Sequence, residues 1–534
     1  MRIRWHHQTK RAPPGPAGFT GIRATVILEI ELLLSIVDRF AAVDHSAWRS
    51  HVCRHVNKQQ WESDMLRIQG RGPKLCDGLT RRDLMQVGAL SLFPGLSMPA
   101  VLRATNAGNG PGAAKSVLLF NLLGGPSHID MFDMKPAAPD KVRGEFSPIS
   151  TSLAGLQICE HLPALARWMH KATLIRTITH TYNSHDPLAI MTGFTSGNAQ
   201  LPAQPTDPPD IGAICQYLQR GPRDMPAAVC LPNYPGQGQN YRRGGPYGGF
   251  LGSQYDPLFS VCDPKFDKEP KANHYHPVLP IGEPQMPALD ALPEMQADRF
   301  DRRRSILTQL DQQFEQARGG GAVQRLDHFQ QRAFDMLCSS QTRDAFDLSQ
   351  ESAADRERYG RNLFGSSMLV ARRLVERRVP FISVHQDIYK HYGHAYDMHA
   401  NNFGMLKDFN LPILDQIIPA LLQDLEDRGL LDSTLVIVMG EMGRTPQING
   451  KAGRDHWPQC GFSLLFGGGT HRGLVHGTTD KQGAWPETHP VPVADFVATI
   501  YQLLGIDPHM TVADRGGRPI PVAQGGDPVF SVIA

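Results

Sequence analysis

Apolar residues along this chain recur at two spacings. Residues 116–123 form a nearly continuous apolar run closed by Gly124-Gly125-Pro126. The run is too short for an ordinary helix and is bounded by breakers. It reads as a strand buried on both faces, as strands of parallel sheets are. Similar runs follow at 173–178, 379–385, 435–439 and 462–466, the last before Gly467-Gly468-Gly469. Helical spacing appears between them. In 405–428, apolar side chains recur at Leu406, Phe409, Ile413, Ile417, Leu421 and Leu425, and Gly429 supplies a stop. Pro412 and Pro419 argue against an unbroken helix. Residues 493–504 repeat the pattern before Gly505. Strands alternating with helices predict an α/β chain, a three-layer α/β/α sandwich around a mostly parallel central sheet.

Composition narrows the class. With 534 residues, 41% apolar and 20% charged, the chain buries a sizeable core, which excludes a disordered or collagen-like protein. Lys and Arg number 54 against 52 Asp and Glu, so there is no global basic excess and no nucleic-acid partner is expected. The eight cysteines form no CxxC pair, which argues against a zinc ribbon or finger. No apolar run reaches the length of a spanning helix; the best, 24–37, is interrupted by Glu29 and Glu31. Glycine and proline, 51 and 42, imply many loops, and 201–292 reads as a loop-rich insertion. Residues 299–361 are charged and helix-prone. Twenty-two histidines are the one chemical hint in the composition.

Thr80-Arg81-Arg82-Asp83-Leu84-Met85-Gln86, followed by a mildly apolar stretch, reads as a twin-arginine export signal. The alternative is a helix start capped by Thr80. The pair lies far from Met1 and at a normal distance from Met65. The expectation is therefore a start at Met65, with 1–64 an over-extended or disordered segment. Residues 65–113 are then signal and linker, and 114–534 the folded domain. That predicts passage through the twin-arginine export machinery to the periplasm or the outside.

Ligands of open parallel sheets bind beyond the carboxyl ends of the strands. Metal-type residues recur at those places: His128, Asp130 and Asp133 after the first run, and His180, Ser184, His185 and Asp186 after the second. His385, Asp387, His391, His394, Asp397 and His399 follow the third, and Glu441, Arg444, Asp455 and His456 the fourth. Imidazole with carboxylate suits zinc, manganese or iron; oxygen-only sites suit magnesium or calcium. Arg444 has the geometry to hold an oxyanion bidentately. Each residue also has a plainer reading. His391 and His394 read as solvated, Asp133 as a turn brace, Asp455 as a partner orienting His456, and Glu441 with Arg444 as a structural ion pair. Walker, dinucleotide-type and GxSxG motifs are absent.

The ordered series Gly124-Gly125-Pro126-Ser127-His128-Ile129-Asp130-Met131-Phe132-Asp133, Asp397-Met398-His399, Gly440-Glu441-Met442-Gly443-Arg444-Thr445-Pro446 and Gly453-Arg454-Asp455-His456-Trp457-Pro458 resembles the family called domain of unknown function 1501. So does the closing Ala498-Thr499-Ile500-Tyr501 to Pro508. The family resembles a branch of the sulfatase and alkaline-phosphatase superfamily. The resemblance implies an alkaline-phosphatase-like sandwich and metal-assisted attack on sulfate or phosphate esters. In that comparison Met191-Thr192-Gly193 closes the nucleophile helix. Asn183 then stands at the nucleophile position, with Ser184 or a water as the alternative, and the Cys-x-Pro-x-Arg sulfatase motif is missing. The first-strand aspartate falls on Asn121 or Gly124, leaving His128 or Asp130 to substitute. Glu441 matches an aspartate ligand, His456 a later histidine, and Asp397 with His399 a second-metal pair.

The resulting expectation is an exported hydrolase of a small-molecule or polysaccharide ester. It would hold a divalent ion (zinc, manganese, calcium or magnesium) on His128, Asp130, Asp397, His399, Glu441 and His456. Ser184, His185 and Arg444 would carry the catalysis. The competing expectation is a non-catalytic envelope protein that binds an anionic glycan through a degenerate site.

Overall fold

The computed structural model describes residues 113–196, 202–236, 242–269, 275–287, 340–389 and 395–534. Segment 1–64, the arginine pair Arg81-Arg82, His391 and His394 lie outside the described residues, as does most of 299–361. In chain order the strands used below are β1 (Ser116–Leu122), β2 (Ala172–Thr179), β3 (Ala228–Leu231), β4 (Leu258–Phe259), β5 (Phe381–Gln386), β6 (Thr434–Met439), β7 (Gly443–Arg444), β8 (His456–Trp457), β9 (Gly461–Phe466), β10 (Leu474–His476), β11 (Thr478–Thr479), β12 (Pro486–Thr488) and β13 (Val491–Pro492). The helices are α1 (His128–Met131), α2 (Leu188–Thr192), α3 (Ile211–Tyr217), α4 (Leu363–Glu376), α5 (Leu411–Asp427) and α6 (Val493–Leu503).

β1 sits inside a nine-stranded sheet of order β10-β2-β9-β6-β1-β5-β3-β4, with β13 also pairing β2. Every pairing is parallel except those of β9, which runs antiparallel to both β6 and β2. All five expected strands are present. The stretch 201–292 is not wholly an insertion, because β3 and β4 extend the main sheet from β5 outward.

Alternation along β1 explains the layers. Leu118, Phe120 and Leu122 enter one core with α4 and α5, while Val117 and Leu119 enter a second with α2, α3 and α6. Helices therefore cover both faces, and the architecture is the three-layer α/β/α sandwich. Burying each such Leu or Phe contributes about 1.5–3 kcal/mol. The expected 405–428 helix is α5 preceded by a π-helical turn, Leu406–Asn410. Pro412 falls in the first turn of α5, where a missing N–H is harmless, and Pro419 lies inside it.

Candidate metal centre

Loops at the carboxyl ends of β2, β5 and β6, with the β7–β8 ribbon, bring four side chains together. One ligand-type atom from each of His185, Asp397, His399 and His456 lies within 4.8 Å of all the others. His185 Nε2 and His399 Nε2 are each 3.1 Å from Asp397 Oδ1, and His456 Nε2 is 3.5 Å from it. His399 Nε2 and His456 Nε2 are 3.1 Å apart.

The opposite ring nitrogens are all occupied. His185 Nδ1–H donates to Glu441 Oε1 at 2.7 Å, and His399 Nδ1–H to Asp455 Oδ1 at 2.7 Å. His456 Nδ1–H donates to Asn183 Oδ1 at 3.0 Å. These bonds fix one tautomer on each ring and leave three Nε2 lone pairs facing a carboxylate oxygen. Such an arrangement repels itself unless a cation or protons occupy its centre. His185 Nε2 is buried and has no well-aligned hydrogen-bond partner. Ligands arranged tetrahedrally about 2.0 Å from a zinc ion lie about 3.3 Å from one another, close to the separations above. Histidines whose second nitrogen is tied to an oxygen acceptor are the usual form of a metal ligand. The four residues thus fit a divalent ion.

Glycine permits the approach of the strand ends. Gly124 has φ +105°, and a Cβ there would lie 2.2 Å from the backbone nitrogen of Asp397. Its own N–H donates to both oxygens of Glu441, at 2.8 and 3.1 Å.

Titration follows from these contacts. Burial pulls His185 down, but the flanking carboxylates of Asp397 and Glu441 outweigh it and hold the imidazole up at about 9. The hydrogen bond to Asp397 also raises His399. Burial lowers His456. Burial opposes ionisation of Asp397 and Glu441, yet their histidine partners hold both carboxyls below the usual range.

Several expected roles change. Asp130 is not in the cluster: Arg454 pairs with both its oxygens at 2.7 Å, and Asn402 donates to Oδ2 at 2.9 Å, so its acceptors are taken. His128 is not in it either. Its Nε2–H donates to Gly483 O at 2.7 Å, and burial lowers its pKa, so it is a neutral structural side chain. Glu441 is buried behind His185 and orients that ring instead of joining the four. Asp455 orients His399, not His456. Arg444 is no oxyanion clamp: it is fully buried and donates to Asp397 Oδ1 at 2.7 Å and to the carbonyls of Gly124, Gly125 and Arg454. Nor does it pair with Glu441. Ser184 is buried and donates to Asp186 Oδ2 at 2.7 Å. His185, expected as a catalytic residue, is one of the four clustered donors. Asn121 donates to His385 Nδ1 at 3.2 Å, and burial holds His385 near 3, making a neutral pair within the sheet.

Sequence reasoning missed Tyr275, which hydrogen-bonds the backbone of His399. A tyrosine in a loop-rich stretch gives no signal of that reach.

A three-layer α/β sandwich with a His/Asp donor cluster beyond the carboxyl edge of its sheet is the class defined by this fold and site. The chain belongs to the DUF1501 family, described as protein of unknown function, whose model matches residues 114–533. Similar solved structures include Ps i-CgsB, 11% identical, covering 74% of this chain and 72% of that one with a TM-score of 0.34. Another is the PsFucS1 sulfatase from Pseudoalteromonas sp., 12% identical, covering 76% and 70% with a TM-score of 0.30. A third is BT4656 in complex with its substrate D-glucosamine-2-N,6-O-disulfate, 12% identical, covering 79% and 82% with a TM-score of 0.29. No curated protein sequence matches the chain.

Proposed function

We propose that the protein is an exported, metal-dependent hydrolase of sulfate or phosphate esters. The observation that carries this reading is the convergence of three imidazole Nε2 atoms on Asp397, each ring held by an oxygen acceptor at its other nitrogen. Three nitrogens and one oxygen favour a transition-series ion, zinc first and manganese second, over calcium or magnesium. Held by His185, Asp397, His399 and His456, such an ion would supply Lewis acidity and would lower the pKa of a water that joins the four protein donors.

The chain's own groups do the positioning. Glu441, Asp455 and Asn183 orient the three rings, and Arg444 braces Asp397. His399, with its side chain 36% exposed, marks the side open to an ester. The nucleophile in this reading is water, because Ser184 is engaged with Asp186 and Asn183 is an amide. The test is a screen of aryl and sugar sulfates and phosphates with metal-loaded and chelator-treated protein. Turnover confined to the loaded form supports the reading.

The non-catalytic alternative, binding of an anionic glycan, has one observation in its favour: the donors of Arg444 are taken up by protein acceptors. Turnover of no ester by fully metal-loaded protein would favour it.

Export through the twin-arginine machinery to the periplasm or outside is part of the proposal and rests on Arg81-Arg82. Replacing both with lysine should retain the protein in the cytoplasmic fraction. No helix among the described residues is long and apolar enough to cross a membrane.

A further inference from the structure

The loop 445–455, which joins β7 to β8, forms one wall of a cleft of about 830 Å³. The short helix Asp140–Arg143 and the residues after it form the other. The walls are bonded to each other. Ile448 N–H donates to Lys141 O at 2.8 Å. Arg454, paired with Asp130, donates Nη2–H to Val142 O at 2.8 Å. The buried Asp130–Arg454 pair, which takes no part in the cluster, thus ties the cleft together.

The cleft meets the cluster at His399. Asp455 lines the cleft and accepts His399 Nδ1–H. Asn449 lines it too, and donates Nδ2–H to His399 O at 3.0 Å. Side-chain exposure rises from 17% at Asp397 to 36% at His399 and 55% at Asp455, against 15% at His185 and 22% at His456. The cluster therefore opens on the side where the cleft begins.

The charges of the cleft nearly cancel. Lys141 and Arg143 stand against Asp140, Glu145 and Asp455, and Arg143 is already paired with Asp140 at 2.9 Å. Gln447 adds a neutral amide. The Asp455 carboxylate lies at the junction with the cluster, where it opposes a second anionic group beside the first. Hydroxyl groups both donate and accept, so carboxylate, amide and ammonium groups all satisfy them. The volume falls in the usual range of ligand pockets, about 300–1,000 Å³.

We propose that this cleft binds the alcohol portion of the ester, and that it selects an uncharged, hydroxyl-rich alcohol carrying a single sulfate or phosphate over a polyanionic chain. The inference deepens the hydrolase reading and rests on it.

The test is a calorimetric titration of the full-length protein incubated with zinc. The probes are inorganic phosphate, phosphonate and sulfonate analogues of neutral disaccharide monoesters, and polysulfated heparin disaccharides. Gly450 lines the cleft, and a Cβ there meets nothing within 4 Å, so Gly450→Trp places an indole in it without displacing the fold. Gln447→Trp, from the same wall, is the second variant. Wild type should bind a disaccharide analogue more tightly than either phosphate or the heparin disaccharides. Each variant should raise the Kd of that analogue about tenfold or more, the scale of losing the contacts of a bound ring. Metal content and phosphate affinity should be unchanged. Wild-type affinity for the analogue in both variants, or tighter binding of the heparin disaccharides than of the analogue, overturns the proposal. Binding of phosphate without binding of any analogue overturns the cleft and leaves the metal centre standing. A wild type that takes up neither zinc nor phosphate, yet binds an analogue that Gly450→Trp excludes, sustains the cleft and refutes the hydrolase reading.

Discussion

His185 Nδ1–H donates to the buried carboxylate of Glu441 at 2.7 Å, and this one bond turns the other ring nitrogen toward Asp397. Glu441 is anchored in turn by the N–H of Gly124, at the end of the central strand. The geometry of the donor cluster is thus tied directly to the sheet.

Glu441→Gln should retain the fold and weaken zinc binding about 10- to 100-fold, the usual consequence of removing a carboxylate behind a ligating histidine. Calorimetric titration of the apo protein with zinc measures it. Unchanged affinity would show that Glu441 does not govern His185.

Ser184→Ala should leave metal content intact and lower turnover of any accepted ester less than about tenfold, since water is the nucleophile in this account. A loss of several orders of magnitude would assign the attack to Ser184.

Asp130 and Arg454 form a buried, doubly bonded pair. Breaking such a pair from one side costs about 3–5 kcal/mol. Asp130→Ala should therefore lower stability toward urea by that amount. Any of the variant that remains folded should still carry metal. Metal loss without loss of stability would return Asp130 to the ligands.

Asp210 caps α3, with Oδ1 accepting Ala213 N–H at 2.6 Å, while its buried Oδ2 has no partner. Burial raises its carboxyl to about 8. An acid raised on folding binds its proton more tightly in the native state. Its effect is absent below about pH 4; between there and pH 8 the unfolded chain ionises and the folded one does not. Stability should thus fall across that window by up to about 1.4 kcal/mol per pH unit and level off above it. Asp210→Asn, which keeps a capping oxygen, should abolish this contribution. Thermal unfolding at pH 5, 7 and 8.5 checks it.

The sheet was legible because strands buried on both faces need no polar alternation: 116–123 and 435–439 announce themselves as short apolar runs between breakers. Two-residue β4 carries too little pattern to register. The reversed direction of β9 is a property of its connections, not of its residues. At the site, His185, Asp397, His399 and His456 were visible as metal-type residues after strands. The same rule also selected Asp130 and His128, because nothing local to them reveals their partners. Arg454 lies 324 positions from Asp130, and Gly483 355 positions from His128. Arg444 likewise looked free to hold an anion until the loop carbonyls around it were placed.

The most direct measurement is the metal content of the purified full-length protein by plasma emission spectrometry, beside His399→Ala/His456→Ala. The account predicts close to one transition-metal ion per wild-type chain and almost none in the double variant, with both proteins folded. A wild type that holds no ion after incubation with zinc, manganese, magnesium and calcium would contradict it. So would a double variant that retains the wild-type amount.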